Sequence, residues 1–387
     1  MNFSALCKER EWNDLAAVIE AKSADDVRRA LRCKTRRSLD DFAALVSPAA
    51  APFLEEMAQE SAKITTARFG KTIQLYIPIY LSNLCHNICS YCGYRQDNAI
   101  ERKVLDQDEM AAEFEAVRKM GFAHVLLVTG EAGKIVGVDY LAEAVELAGK
   151  YFSHVSLEVQ PLGIDDYRRL RQLGLLGVYV YQETYRRERY GAYHLKGRKR
   201  NFAWRLDTPD RLGAAGIHEI GLGFLLGLED WRREAVMLAR HLRHLERRYW
   251  RTRFSISFPR LRAALGAFQA GHLVGDRDFV QAITAFRLFD ENVGLSLSTR
   301  ESAAFRDRVL PLGITQVSAG SRTEPGAYSV AEPALPQFSI HDLRDPQEVA
   351  AAISRLGFDP VWRNWQPALA DRPASAPPPR QRARPVL

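Results

Sequence analysis

Eight short β-rich runs, each followed by a helical segment, constrain this chain more than any other feature. The runs occupy residues 74–81, 124–131, 154–161, 177–184, 219–226, 254–260, 294–301 and 315–322. They are near-continuous apolar stretches such as QLYIPIYL and HVLLVTGE, the pattern of strands covered on both faces. Asp106 precedes an amphipathic run to Met120, and Gly121 is its stop signal. Segments 139–150, 165–173, 208–215, 231–249, 276–289 and 302–309 fill the next six intervals, and 346–356 follows the eighth run. Such alternation predicts an α/β fold of the (β/α)8 TIM-barrel type, with an open doubly wound sheet as the alternative. A length of 387 residues holds one such barrel with extensions.

Residues 1–70 predict a helical N-terminal extension at the periphery of the barrel, broken at SPAAAP (47–52). The barrel is expected over 71–365, and the Pro- and Arg-rich 366–387 as a disordered tail. The chain is 47% hydrophobic and 26% charged, ordinary values for a soluble protein, and no run of eighteen apolar residues predicts a membrane span. Charges near the N-terminus stand where a signal peptide needs its apolar core, so a cytoplasmic location is expected. The net charge of +7 gathers in clusters at 186–189, 196–200 and 243–253 and in the tail. Such clusters are usually solvated faces, so no nucleic-acid partner is expected. They could equally steer a carboxylate substrate, an acidic electron donor or another acidic partner.

Three of the five cysteines fall within eight residues, in Cys85-His-Asn-Ile-Cys89-Ser-Tyr-Cys92. Three thiolates can bind three irons of a [4Fe–4S] cluster, and no fourth ligand is visible nearby. The remaining iron keeps an open position, which a cluster needs if it is to bind a substrate. The loop follows the first strand, on the face where barrel enzymes place their sites. A zinc site that adds His86 is the alternative, but neighbouring His86 and Cys85 would have to converge on one ion. Cys7 and Cys33 have no partner at ligand spacing and are expected to be structural thiols.

The motif CxxxCxYCxY resembles the cluster loop of the radical S-adenosylmethionine superfamily. LLVTGE, EVQPL, VYQETY, HLKGRK, WRLDTPDRLG, IGLGFLLGL, FSISFPR, LSTRE and VSAGSRTEPG follow in order. Together they resemble the 2-iminoacetate synthase family, the tyrosine lyases of thiamine thiazole biosynthesis, from about residue 70 to about residue 365. The resemblance implies a [4Fe–4S] cluster on Cys85, Cys89 and Cys92 that reductively cleaves S-adenosylmethionine. The resulting 5′-deoxyadenosyl radical takes hydrogen from the amine of L-tyrosine, whose Cα–Cβ bond then breaks to give 2-iminoacetate and p-cresol. It also implies flavodoxin or ferredoxin as electron donor and thiazole synthase as a partner.

Candidate site residues sit at the strand ends. Tyr91 is the aromatic residue before the third cysteine. Gly130 and Glu131 resemble the superfamily's Gly-Gly-Glu loop, which takes up the methionine ammonium, although Thr129 stands where the first glycine would be. Glu158 is expected either to accept from the adenosyl ribose or to pair with an arginine inside the barrel, because a carboxylate in an apolar strand needs a partner. Gln182 and Glu183 close the fourth run and are candidates for cofactor or substrate contact. Arg260 could meet a cofactor or substrate carboxylate. Arg300 is the candidate clamp for the tyrosine carboxylate, since its planar fork suits bidentate binding. Ser318 and Ser321 could assist it, and Tyr80 could sit beside the substrate amine. For each of these the plain alternative is a structural hydrogen bond at the barrel rim. His194, in a basic loop, is expected to be solvated and outside the site.

Three other functions compete. The related tyrosine lyase that matures [FeFe]-hydrogenase carries a second cluster on C-terminal cysteines, and no cysteine follows Cys92. A tryptophan lyase would share the cluster loop, the barrel and the arginine. A non-enzymatic iron–sulfur sensor would leave the polar strand ends without a purpose.

Overall fold

The computed structural model describes residues 2–7, 9–262, 268–330 and 337–363. The expected tail, 366–387, lies outside the described residues. Eight parallel strands follow one another in chain order: β1 (Thr72–Ser82), β2 (His124–Thr129), β3 (His154–Glu158), β4 (Leu175–Tyr179), β5 (Glu219–Gly223), β6 (Arg253–Ser257), β7 (Gly294–Leu297) and β8 (Gln316–Ser318). Each pairs with the next, and β8 closes on β1 through Gln74–Gln316, Leu75–Val317 and Tyr76–Ser318. The closed barrel excludes the doubly wound alternative. All eight expected strands are present, but most stop two to five residues before the expected ends, because their polar last residues are loops at the barrel mouth.

Helices Gln107–Lys119, Val138–Ala148, Ile164–Gln172, Thr208–Ala215, Trp231–Arg248, Asp276–Phe289 and Ala303–Val309 occupy the seven intervals, and Pro346–Arg355 follows β8. Their starts obey local chemistry: Asp106 accepts from Glu109 N while Glu109 reaches back to Asp106 N, a reciprocal cap repeated by Asp345 and Glu348. The outer strand faces pack on these helices in one large core. The lumen is more polar than the sequence suggested. Toward its floor the His124 and His154 rings pack tilted, with centroids 4.0 Å apart, and Tyr179 donates to the buried Glu219 at 2.5 Å. Burial depresses both imidazoles, His154 to about 4, so they are neutral.

Two departures from expectation matter for the site. The N-terminal region is helical, yet it is no peripheral appendage. Phe42 packs between Phe286 and Phe289 at 4.9 and 4.8 Å, and Phe3 stacks on His241 at 4.1 Å, in the same core as the barrel. The link from β4 to helix Thr208–Ala215 is also structured. It holds helices Arg187–Tyr193 and Phe202–Leu206 and a strand, His194–Lys196, that pairs antiparallel with Ile88–Cys89 of the cysteine loop.

Candidate active site

The strand ends open on one cavity with about 1370 Å³ of empty space, counting its open mouth. Cys85, Cys89 and Cys92 line it on a loop that begins where β1 stops. Gly130 at the end of β2 lets this loop lie close, since a Cβ there would stand 2.2 Å from Leu84 O. Its N–H donates to Ser82 O at 2.9 Å, and His86 N donates to Glu131 O at 2.9 Å. From the other side, Ser90 N donates to Tyr193 O at 2.9 Å. Gly197, at φ +94°, presses on Asn87 where any Cβ would fall 2.0 Å from Oδ1. Buried Asn87 ties the three segments together: its amide donates to Glu131 Oε2 at 2.8 Å and accepts from Lys199 N at 3.1 Å.

Behind the loop lies a chain of four enclosed charges. Arg205 pairs with Glu131 at 2.8 Å and approaches Glu183 at 3.9 Å, and Lys199 pairs with Glu183 at 2.7 Å. Burial alone would raise the Glu183 carboxyl, but Lys199 and Arg205 outweigh it and hold the group below its usual range. Burial and the Arg205 charge oppose the Lys199 ammonium, and the Glu183 and Glu131 carboxylates help to restore it, so that it stays protonated. Removing one member of such a set strands its partners, at a cost of about 3–5 kcal/mol. Glu183 is also, among the described residues, the one non-glycine at positive φ (69°), so its carboxylate is aimed from a strained backbone.

Tyr91 sits on the cavity wall and is fixed by His194. The imidazole Nδ1 lies 2.8 Å from the Tyr190 carbonyl and must donate to it, so Nε2 accepts from Tyr91 OH at 2.8 Å. His194 is therefore buried and neutral, its pKa lowered to about 3 chiefly by burial. The expectation of a solvated histidine fails because the loop folds inward. The same correction applies to Lys199, whose charge is spent on Glu183 and not on solvent.

The three thiols fit a cluster better than a single ion. His86 does not line the cavity with Cys85, Cys89 and Cys92, so the fourth ligand that the zinc set needs is not beside them. Burial raises Cys85 to about 11, and Cys89 is raised as well, again mainly by burial. Such thiols become thiolates only with positive charge at hand, which bound iron supplies.

Other groups that line the cavity are unpaired or only lightly held. Arg300 lays its guanidinium on the Phe338 ring at 3.5 Å and has no carboxylate partner among the described residues. Ser321 Oγ and Thr129 Oγ1 are buried at the cavity without a hydrogen-bond partner among them. Ser318 Oγ accepts from Thr299 N at 3.1 Å, and Tyr80 OH donates to Gln337 Oε1 at 2.8 Å. Gln337 Nε2 in turn points at Cys92 Sγ, 3.6 Å away. Glu158 lines the cavity half-buried, with no ion pair among the described residues. Burial, then Glu183, raise its carboxyl to about 7 against the pull of Arg300. Unmet polar groups of this kind are costly unless water or a ligand meets them.

Two expected residues are elsewhere. Gln182 does not line the cavity, whereas its neighbours Tyr181 and Glu183 in the loop after β4 do. Its amide is buried without a partner among the described residues. Arg260 is also absent from the wall. It is held by Glu301 at 3.0 and 3.1 Å and by Asp276 at 2.7 Å, above the Phe305 ring at 4.8 Å. Nearly inaccessible Glu301 needs this cation, and Arg262 joins it at 2.8 Å. Sequence reasoning missed Asn87, Lys199, Arg205, the Thr129 hydroxyl and Gln337. HLKGRK and WRLDTPDRLG contain two of them, whereas nothing marks Gln337.

Comparison with known proteins agrees with this arrangement. The Radical SAM superfamily profile matches residues 79–240, and that of the Biotin and Thiamin Synthesis associated domain matches 257–359. The chain is 50% identical over 364 residues to the 2-iminoacetate synthase of Escherichia coli strain K12, covering 94% of this chain and 96% of that one. It is 49% identical to the 2-iminoacetate synthase of Salmonella typhimurium strain LT2 over 94% of this chain and 96% of that one. The solved structure of HydG, a maturase of the [FeFe]-hydrogenase, superposes with a TM-score of 0.87 at 30% identity, over 94% of this chain and 83% of that one. The superfamily uses a [4Fe–4S] cluster and S-adenosylmethionine, and the three thiols lining one cavity, the close-packed Gly130 and the unmet hydroxyls fit both. By sequence, fold and site, the chain belongs to the 2-iminoacetate synthase family of radical S-adenosylmethionine enzymes.

Proposed function

We propose that this chain is a tyrosine lyase that makes 2-iminoacetate and p-cresol. The observation that carries the reading is that one cavity is lined both by Cys85, Cys89 and Cys92 and by Arg300, whose guanidinium has no carboxylate partner among the described residues. When bound, the cluster and S-adenosylmethionine supply an adenosyl radical able to take hydrogen from the substrate amine, after which the Cα–Cβ bond of tyrosine parts.

The chain's own residues do the rest. Cys85, Cys89 and Cys92 hold the cluster. Gly130 and Glu131 edge the place for the methionine end of the cofactor, with Tyr91 beside it, and Glu183 lies deeper on the same wall. Arg300 binds the tyrosine carboxylate, and Ser321 Oγ, with no other partner among the described residues, adds a hydrogen bond. Ser318 holds the Thr299 backbone and so steadies the strand end that bears Arg300. Tyr80 borders the substrate amine, and Gln337 fixes its hydroxyl. Glu158, neutral below about pH 7, can donate to one ligand oxygen and accept from another. Phe338 covers Arg300 and keeps water from the substrate carboxylate.

A flavodoxin or ferredoxin supplies the electron. Thiazole synthase receives the product imine, which water would otherwise hydrolyse. No helix among the described residues is long and apolar enough to cross a membrane, and three clustered thiols suit the reducing cytoplasm.

The test is anaerobic incubation of the iron-loaded protein with S-adenosylmethionine, excess dithionite and either tyrosine or tryptophan. The expected result is p-cresol from tyrosine. Indole products from tryptophan with no p-cresol would replace the substrate, and no 5′-deoxyadenosine with either amino acid would sink the reading.

A further inference from the structure

We propose that the outer face of the strip 194–200, with the turn 132–135 beside it, is the docking surface for a small acidic electron-carrier protein that presents an apolar redox edge, of the flavodoxin class. This rests on the function proposed above and adds the place where the electron enters.

The first observation is proximity. Strand His194–Lys196 pairs directly with Ile88–Cys89, with His194 opposite Cys89 and Lys196 opposite Ile88. Gly197 presses on the backbone between Cys85 and Cys89. This strip is a single layer of chain over the cysteine loop, and its outer side is exposed at Leu195, Lys196, Gly197, Arg198 and Arg200.

The second observation is unspent charge. Residues 186–200 carry seven Lys or Arg and one acid, Glu188. Four of the seven are occupied: Arg186 and Arg189 face Glu229, Arg187 covers Phe202, and Lys199 holds Glu183. Lys196, Arg198 and Arg200 are left with no carboxylate partner among the described residues. Arg200 Nη1 donates to the Leu195 carbonyl at 3.2 Å, which fixes the side chain on the strip and leaves its charge unneutralised.

The third observation is apolar surface in the same place. Leu195 is 46% exposed and Trp204 41%. Arg198, Arg200 and Trp204 border one surface groove. Arg198 Nη1 reaches to within 3.8 Å of a Cβ built on Gly133, so the neighbouring turn, with Lys134 and the 56% exposed Ile135, belongs to the same patch. Apolar groups set among cations match a carrier whose redox edge is apolar and ringed by carboxylates. Small, salt-sensitive patches are typical of transient redox encounters.

In the step itself one electron leaves the reduced flavin and the oxidised cluster gains it. No bond forms or breaks, and a flavin hydroquinone anion becomes a neutral semiquinone without moving a proton.

The test uses the iron-loaded full chain and an acidic flavodoxin, with a ferredoxin in a parallel arm. Binding is measured by flavin fluorescence or sedimentation, and cluster reduction by stopped-flow bleaching, each across a salt series. We expect the triple variant K196E/R198E/R200E to weaken flavodoxin binding at least tenfold and slow cluster reduction to match. Its iron content, cluster spectrum and 5′-deoxyadenosine yield under excess dithionite should stay at wild-type levels. If the reversed variant assembles no cluster, K196Q/R198Q/R200Q takes its place, with a loss of about threefold expected. Unchanged flavodoxin affinity in a cluster-loaded variant overturns the proposal, as does tighter binding of ferredoxin through the same residues. Failure of the wild type under dithionite would instead overturn the function on which the proposal rests.

Discussion

Two sets of groups around the cavity are built on opposite principles. In the set beside the cysteine loop each group has a partner: Glu131 has Arg205 and Asn87, Glu183 has Lys199 and Arg205, and the Tyr91 hydroxyl has His194. In the other set Arg300 after β7, Ser321 Oγ after β8 and Glu158 at the end of β3 have no such partner among the described residues. The first is scaffolding, complete before any ligand arrives. The second is a set of debts that a ligand settles. Paired groups therefore govern stability and loop placement, and unpaired groups govern affinity.

That contrast can be broken most sharply at Arg205. Arg205→Met leaves Glu131 and Glu183 in a closed space with less positive charge. It should cost about 3–5 kcal/mol in urea unfolding, a large share of the net stability of a typical domain. Wild-type stability in this variant would mean that the charge chain is ornamental. Arg300→Met should do the reverse. Unfolding should shift by less than about 0.5 kcal/mol, while the KM for tyrosine rises roughly 30- to 150-fold, the loss of about 2–3 kcal/mol of charged hydrogen bonding. Cofactor cleavage without tyrosine should be spared.

The smallest effect is a pH dependence at Glu158. Its carboxyl titrates near 7 in the folded chain against 4.5 ordinarily, so the folded state holds a proton that the unfolded state has released. The ionised group is a standing cost above pH 7, and that cost fades as pH falls from 7 to 4.5. Glu158→Gln should accordingly be more stable than wild type at pH 8 by about 1 kcal/mol, after allowance for its open side. The difference should disappear below pH 4.5. A pH-independent difference would assign Glu158 a purely steric role.

The barrel and the cysteine wall's ligands were legible in the sequence for a physical reason. Strand and helix periodicity repeat over the whole chain, and three cysteines at close spacing have few other uses. Strand ends were legible as positions but not as directions. Gln182 and Glu183 look alike in sequence, yet in the loop after β4 only Glu183, at its positive φ, reaches the cavity. Arg260 and Arg300 both end strands, and only the neighbouring Glu301 decides which is left free. The basic run 194–200 misled because charge density suggests solvent, whereas Lys199 and His194 are drawn inward by Glu183 and Tyr91. Gln337 reaches the site from far along the chain, after β8, with no local signal at all.

The most direct test of the account is a structure of the iron-loaded enzyme with S-adenosylmethionine and tyrosine bound. The account predicts the tyrosine carboxylate on the Arg300 guanidinium with Ser321 Oγ in contact, and the Glu131–Arg205–Glu183–Lys199 chain unchanged. A tyrosine carboxylate seated on Lys199 or Arg205, with that chain broken open and Arg300 still unpaired, would contradict it.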